Sequence, residues 1–89
     1  MYQVMVVDDE PMAASLIVNI IKRKYSDFEI MGTAYDGEEA LELMEEKGEP
    51  DVLITDIQMP VMNGLKLVEE TKKRYPEVIS VIVSGYQEF

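Results

Sequence analysis

The sequence of 89 residues contains no cysteine, no histidine and no tryptophan. Without cysteine it can form neither a disulfide framework nor a thiolate metal site, and without histidine it has no imidazole ligand. Basic residues are also scarce: eight Lys and Arg stand against 18 Asp and Glu, which gives a formal net charge of −10. Because binding to nucleic acid or to an anionic membrane needs basic clusters, we expect neither as a direct partner. Any metal binding or catalysis must therefore depend on oxygen atoms of the side chains and the backbone.

The sequence also lacks a long apolar run. The apolar start of the chain is interrupted at Asp8 and has no basic leader, and no other stretch is long enough to span a bilayer. We therefore expect a cytoplasmic chain. Its length is that of one small domain, whose core leaves little surplus stability.

Apolar runs and helical patterns alternate along the whole chain. Strands are predicted at 2–7, 29–35, 51–56 and 78–83, and amphipathic helices follow Pro11, Asp36 and Gly64. This order with short joins predicts an α/β fold with a parallel sheet and right-handed crossovers. In the first helix, spacings of three and four predict one buried face that is formed by Met12, Ala13, Leu16, Ile17, Ile20 and Ile21.

Three carboxylates stand where two of the predicted strands end. Asp8 and Asp9 follow the first strand, and Asp56 closes the third. Taken singly, each acid is also explained as a helix cap or a loop residue. In a parallel sheet, however, all three would meet at one edge, and a group of carboxylates is the usual setting for a hard divalent cation.

Four segments of the chain resemble the receiver domain of a bacterial two-component response regulator. They are Val6-Val7-Asp8-Asp9-Glu10-Pro11, Asp36-Gly37-Glu38-Glu39-Ala40-Leu41, Asp56-Ile57-Gln58-Met59-Pro60 with Gly64, and Val83-Ser84-Gly85-Tyr86. The resemblance covers the whole chain and implies a flavodoxin-like sheet in the order β-α-β-α-β-α-β. The closing residues 84–89 are similar to receivers that precede AraC-like DNA-binding domains, which implies a transcriptional output outside this chain.

The resemblance also implies roles for individual residues. Asp56 would accept a phosphoryl group from a sensor histidine kinase. Asp9 would bind Mg²⁺ directly, Asp8 would bind it through water, and the backbone carbonyl of Gln58 would complete the protein ligands. Ser84 would hydrogen-bond the phosphoryl group. These roles agree with the physical needs of phosphoryl transfer, in which a positioned nucleophile acts beside a neutralising cation.

Position along the chain suggests two residues that tune the reaction. Gln58 lies two residues after the acceptor and Tyr86 two residues after Ser84, so both are expected to flank the path of the hydrolytic water and to set the lifetime of the acyl phosphate. No other turnover is expected, so the chain is not predicted to be an enzyme.

The sequence departs from the receiver pattern at its end. The family's fourth helix, its fifth strand with a Lys and a switch aromatic, and its fifth helix are not seen, so we expect residues 1–89 to form one incomplete receiver domain. The last strand would then be an exposed edge through which the chain self-associates. Lys66 is the local candidate to replace the missing Lys.

Two other functions stay open at this point. The first is a phosphorylation-independent interaction module that keeps only the Mg²⁺ site. The second is a haloacid-type phosphatase, which is disfavoured because those enzymes carry Asp-x-Asp at one strand end, whereas Asp8 and Asp9 are adjacent.

Overall fold

The computed structural model describes residues 1–83, in which four strands alternate with three helices. The elements are β1 (Tyr2–Val7), α1 (Pro11–Lys24), β2 (Phe28–Ala34), α2 (Gly37–Lys47), β3 (Val52–Asp56), α3 (Gly64–Arg74) and β4 (Ile79–Val83). All four strands lie in one parallel sheet in the order β2-β1-β3-β4. The predicted flavodoxin-like α/β fold is therefore confirmed, with strand boundaries within one residue of those expected.

The sheet register aligns the carboxyl ends of neighbouring strands. Val7 at the end of β1 pairs with Ala34 of β2 on one side and with Thr55 of β3 on the other. On the far side of β3, Asp56 pairs with Val83 of β4. The residues that follow β1 and β3 are thereby brought to the same edge.

Side chains from both faces of the sheet are buried against helices. One core cluster joins the sheet to α2 and α3, and it contains Met5, Val7, Ala34, Ala40, Leu41, Met44, Leu53, Met59 and Leu67. The other joins the sheet to α1, and its buried members are Val4, Val6, Ala14 and Ile21. Because consecutive residues of β1 point to opposite faces, Val4 to Val7 contribute to both clusters and are all apolar.

The predicted buried face of α1 is partly wrong. Met12 and Leu16 are 84% and 61% exposed, and Ile20 is also exposed, whereas Ala14 and Val18 pack against the sheet with Ile17 and Ile21. The helix carries apolar residues over more than one stripe, so periodicity alone does not select the face that contacts β1. The exposed residues Met12, Leu16 and Ile20 form what we call the α1 stripe.

Strand β4 is one of the two outer strands of the described sheet, opposite β2. It pairs with β3, and its residues Ile79, Val81 and Ile82 are exposed. None of its five residues is charged or a proline, so within residues 1–83 it has none of the side chains that usually protect an edge strand.

The side chains of Asp36 and Glu39 cap the start of α2. Asp36 is the N-cap, and its Oδ1 accepts a hydrogen bond from the Glu39 N–H at 2.8 Å. The Glu39 side chain accepts a hydrogen bond from the Tyr35 N–H at 2.6 Å, one residue earlier than in a standard capping box.

In the part of the chain that the structure describes, no helix is long and apolar enough to cross a membrane.

Candidate functional site

The structure brings the three carboxylates of Asp8, Asp9 and Asp56 together. Each offers an oxygen atom, and these atoms all lie within 4.8 Å of one another. The cause is the pairing of Val7 with Thr55, which places the residues that follow both strands side by side. We call this group the acid cluster.

Backbone groups orient two of the three carboxylates. Asp8 is only 5% exposed, and its Oδ1 accepts the Glu10 N–H at 2.9 Å. Oδ1 of Asp56, which is half-buried, accepts the Ile57 N–H at 2.8 Å. Asp9 is exposed. Within residues 1–83, Asp8 and Asp56 each accept this hydrogen bond at Oδ1.

The electrostatic environment of the acid cluster disfavours further negative charge. Burial raises the pKa of Asp8 above its usual value, against the opposing effect of the hydrogen bond from Glu10. The negative charges of Asp56, Asp9 and Glu10 raise this pKa further. A cation bound among these groups would relieve the repulsion.

The loop of residues 57–63, which we call the β3-α3 loop, forms one wall of a cleft beside the acid cluster. The cleft has a volume of about 600 Å³ and is lined by Asp9, Ile57, Gln58, Met59, Pro60 and Asn63. At the end of the loop, the Gly64 N–H donates to the Ile57 carbonyl at 2.8 Å. A Cβ at Gly64 would overlap the backbone of Asp56, so glycine is required there for the loop to close against the strand.

A tight turn at Val61 is a feature that the sequence did not indicate. Val61 has φ of 68°, and the Met62 N–H donates to the Pro60 carbonyl at 2.7 Å. A hydrogen bond between residues two apart with positive φ between them is the rare, strained form of the γ-turn. No sequence signal marks it, because valine disfavours positive φ.

The ammonium group of Lys66 forms ion pairs with two acids of α3. Its Nζ lies 3.2 Å from Glu69 Oε1 and 3.6 Å from Glu70 Oε2. The hydrogen bond and charge of Glu69, together with the charge of Glu70, raise the pKa of Lys66. The structure therefore engages Lys66 with acids of its own helix.

The donors of the acid cluster fit a hard divalent cation. They are carboxylate oxygens, and Gln58 lines the cleft beside them. Mg²⁺ prefers one or two carboxylates together with other oxygen ligands. The remaining predicted site residues, Ser84 and Tyr86, lie outside the described residues.

Comparison with known proteins identifies the class of protein. The family model for the response regulator receiver domain matches residues 4–89. The chain therefore belongs to the response regulator receiver domain family.

Individual relatives agree with this classification. The chain is 34% identical over 89 residues to the transcriptional regulatory protein YesN of Bacillus subtilis, a match that covers 100% of this chain and 24% of YesN. A DNA-binding response regulator of the LuxR family from Staphylococcus aureus is similar in structure, with a TM-score of 0.86 and 32% identity over 99% of this chain and 72% of that one.

A second similar structure contains BeF₃⁻ and Mg²⁺. It is the complex of CheX, CheY, BeF₃⁻ and Mg²⁺ from Borrelia burgdorferi, with a TM-score of 0.85 and 25% identity over 98% of this chain and 64% of that one. The chain thus spans about a quarter of the length of YesN and about two thirds to seven tenths of the two solved chains.

Proposed function

We propose that this chain is a phosphoacceptor switch in which Asp56 receives a phosphoryl group from a sensor histidine kinase. The observation that carries the proposal is the convergence of Asp8, Asp9 and Asp56 within 4.8 Å at the ends of β1 and β3. A role as a helix cap or loop residue accounts for a single acid but not for three that share one point. Membership of the receiver family supports the same function.

Asp56 is the nucleophile of the proposed reaction. One of its carboxylate oxygens forms a bond to phosphorus, while the bond from phosphorus to the donor's histidine nitrogen breaks and the nitrogen takes up a proton. The Ile57 N–H holds Oδ1 at 2.8 Å, which fixes the orientation of the carboxylate at the strand end. A fixed nucleophile lowers the entropic part of the barrier.

We assign Mg²⁺ as the cofactor, held by Asp8, Asp9, Asp56 and the backbone carbonyl of Gln58. When bound, the ion supplies the positive charge that phosphoryl oxygens need beside a carboxylate. Lys66, the local candidate for a protein cation, is instead engaged by Glu69 and Glu70.

Three finer roles belong to this proposal. Ser84 hydrogen-bonds the phosphoryl group, and Gln58 and Tyr86 set the rate at which water hydrolyses the acyl phosphate. The lining of one cleft by Gln58 and Asp9 supports the role of Gln58. The chemistry of the chain is limited to formation and hydrolysis of its own acyl phosphate, so it is not an enzyme in the usual sense.

The partners follow from the surface and from the relatives. The α1 stripe of Met12, Leu16 and Ile20 begins beside Asp9 and is exposed, so it offers an apolar docking surface for the kinase next to the acceptor site. Transcriptional regulators among the relatives favour a DNA-binding output domain outside this chain and a cytoplasmic location. The AraC-like type of that output stays a prediction.

Intact mass spectrometry tests the proposal. The chain is incubated with acetyl phosphate and Mg²⁺, beside an Asp56→Asn variant and a sample with chelator in place of metal. We expect one added phosphoryl group only in the parent chain with metal. Addition of the same group to Asp56→Asn, or equal addition in chelator, would contradict the assignment.

A second candidate is an interaction module that works without phosphorylation. The observation that favours it is the uncharged outer strand β4, whose exposed Ile79, Val81 and Ile82 could pair with a second copy. Sedimentation equilibrium of the chain without phosphodonor tests this self-association. A monomer throughout the micromolar range would exclude it, whereas a dimer that Val81→Lys abolishes would support it.

A further inference from the structure

We propose that Val61 is a positioning residue whose strained backbone limits how tightly the acid cluster binds a divalent cation. In this view the β3-α3 loop exchanges between the conformation seen here, which forms the cleft, and a relaxed one. Only the first binds the cation well. The cation part of this inference rests on the proposed function, whereas the loop exchange does not.

The strain is local and has a clear cause. Val61 combines φ of 68° with the γ-turn hydrogen bond from Met62 N–H to the Pro60 carbonyl. A Cβ branched residue is the least suited to this region, because its two γ-methyl groups crowd the backbone. Gly48, the other residue of positive φ in the described chain, is a glycine and carries no such cost.

The side chain of Val61 does not offset the strain. It is 76% exposed, so it gains little from burial. Valine at this position therefore contributes neither a favourable turn conformation nor core packing. The conformation must be maintained by the residues on either side of it.

Those neighbours are anchored at three points. Met59 is buried in the core cluster against α2 and α3, and Met62 packs against the same cluster. The Met62 carbonyl accepts the Gly37 N–H at 3.2 Å, and a Cβ at Gly37 would lie only 2.8 Å from that oxygen. Release of Met62 from Gly37 is thus the movement that would let Val61 relax.

The same loop carries the groups that line the cleft. Gln58 lies three residues before Val61, and its carbonyl is the proposed fourth ligand. A ligand that binds only the strained conformer has an apparent affinity reduced by the fraction of chains in that conformer. Strain of this kind changes the ratio of the two conformers by about tenfold. Its removal therefore raises the apparent affinity by at most about tenfold, a limit reached when the relaxed conformer predominates in the parent.

The test uses Val61→Asn and Val61→Gly, which both tolerate positive φ. NMR relaxation dispersion on the metal-free chain reports exchange at the amides of 57–64 and at the Met62 methyl group. Calorimetric titration with MgCl₂ reports affinity. We expect exchange in the parent, its loss in both variants, and Mg²⁺ binding that is tighter in both by up to about tenfold.

Two further variants separate strain from other effects. Val61→Thr keeps the branched Cβ and removes a methyl group from the apolar surface, so it should retain the exchange of the parent. Gly48→Ala introduces strain at φ of 99° at the C-terminal end of α2, outside the residues that line the cleft, with no atom within 4 Å of the new Cβ. It should lower the melting temperature without changing Mg²⁺ affinity.

The results that overturn the inference are distinct from those that overturn the proposed function. The inference fails if the parent loop shows no exchange and Val61→Asn raises the melting temperature without changing the Mg²⁺ affinity. The strain would then lower only the stability of the whole fold. Tightening by Val61→Thr equal to that by Val61→Asn would also refute the inference. If the parent binds no Mg²⁺, the proposed function fails, and loop exchange in the metal-free chain still decides the role of Val61.

Discussion

Replacement of Asp8 by Asn should stabilise the metal-free chain at neutral pH. Asp8 is buried beside two other carboxylates whose oxygen atoms lie within 4.8 Å. Two unit charges at that separation repel by about 3 kcal/mol at an effective dielectric near 20 and by about 1 kcal/mol in bulk water. Asn removes the charge and keeps an oxygen that can accept the Glu10 N–H.

The expected gain for Asp8→Asn is about 1 to 3 kcal/mol, toward the lower end because Asp9 is exposed and screened. For a chain of this size, about 1 kcal/mol shifts the melting temperature by roughly 4 to 8 °C. Thermal unfolding followed by circular dichroism in EDTA at pH 7 measures it. Asp36→Asn is the matched control, because it removes one acid outside the acid cluster and keeps a good N-cap.

The stability gained by Asp8→Asn should be larger at neutral pH than in acid. The pKa of Asp8 is raised in the folded chain, chiefly by burial, so the folded state holds this proton more tightly than the unfolded state. Stability contributed by this group is therefore greatest below the unfolded value of 3.8 and falls as pH rises through the raised folded value. The advantage of Asp8→Asn should vanish below that window and persist above it.

Addition of Mg²⁺ should reverse the order of the two chains. A ligand at about 100 times its dissociation constant stabilises the folded state by about 2.7 kcal/mol, and the Asn variant, having lost a ligand, should gain less. Equal melting temperatures of parent and variant in EDTA at pH 7, or an advantage of the variant that is unchanged in acid, would refute the reasoning.

Three further predictions concern stability and are measured by urea unfolding. Gly64→Ala should cost about 3 kcal/mol, because its Cβ would overlap the Asp56 backbone, and a cost below that of Gly48→Ala would contradict this close approach. Thr71→Val should stabilise by about 1 kcal/mol, because the buried Thr71 hydroxyl has no partner within residues 1–83, and Thr71→Ser should not. Asp36→Ala should lower the free energy of unfolding by about 1 kcal/mol through loss of the α2 cap. Equal destabilisation by Asp36→Asn, which keeps a good N-cap, would contradict this explanation.

The fold and the acid cluster were accessible from sequence because both follow from a few strong rules. Alternation of strands and helices limits the topology, and a parallel sheet places all strand ends at one edge. Asp8 and Asp56 therefore had to be neighbours once β1 and β3 were adjacent. The face of α1 was not accessible in this way, because Leu16 and Val18 are both apolar and only the contact with β1 decides which is buried.

The β3-α3 loop shows where local sequence stops being informative. Gly64 could be anticipated, since a close approach of two backbone segments requires glycine. The turn at Val61 could not, because the next residue, Met62, is held by Gly37, which lies 25 positions away in the chain. The acid cluster likewise depends on the pairing of Val7 with Thr55. Both walls of the cleft are thus held by contacts distant in sequence, so the cleft can form only when the sheet and α2 are already in place.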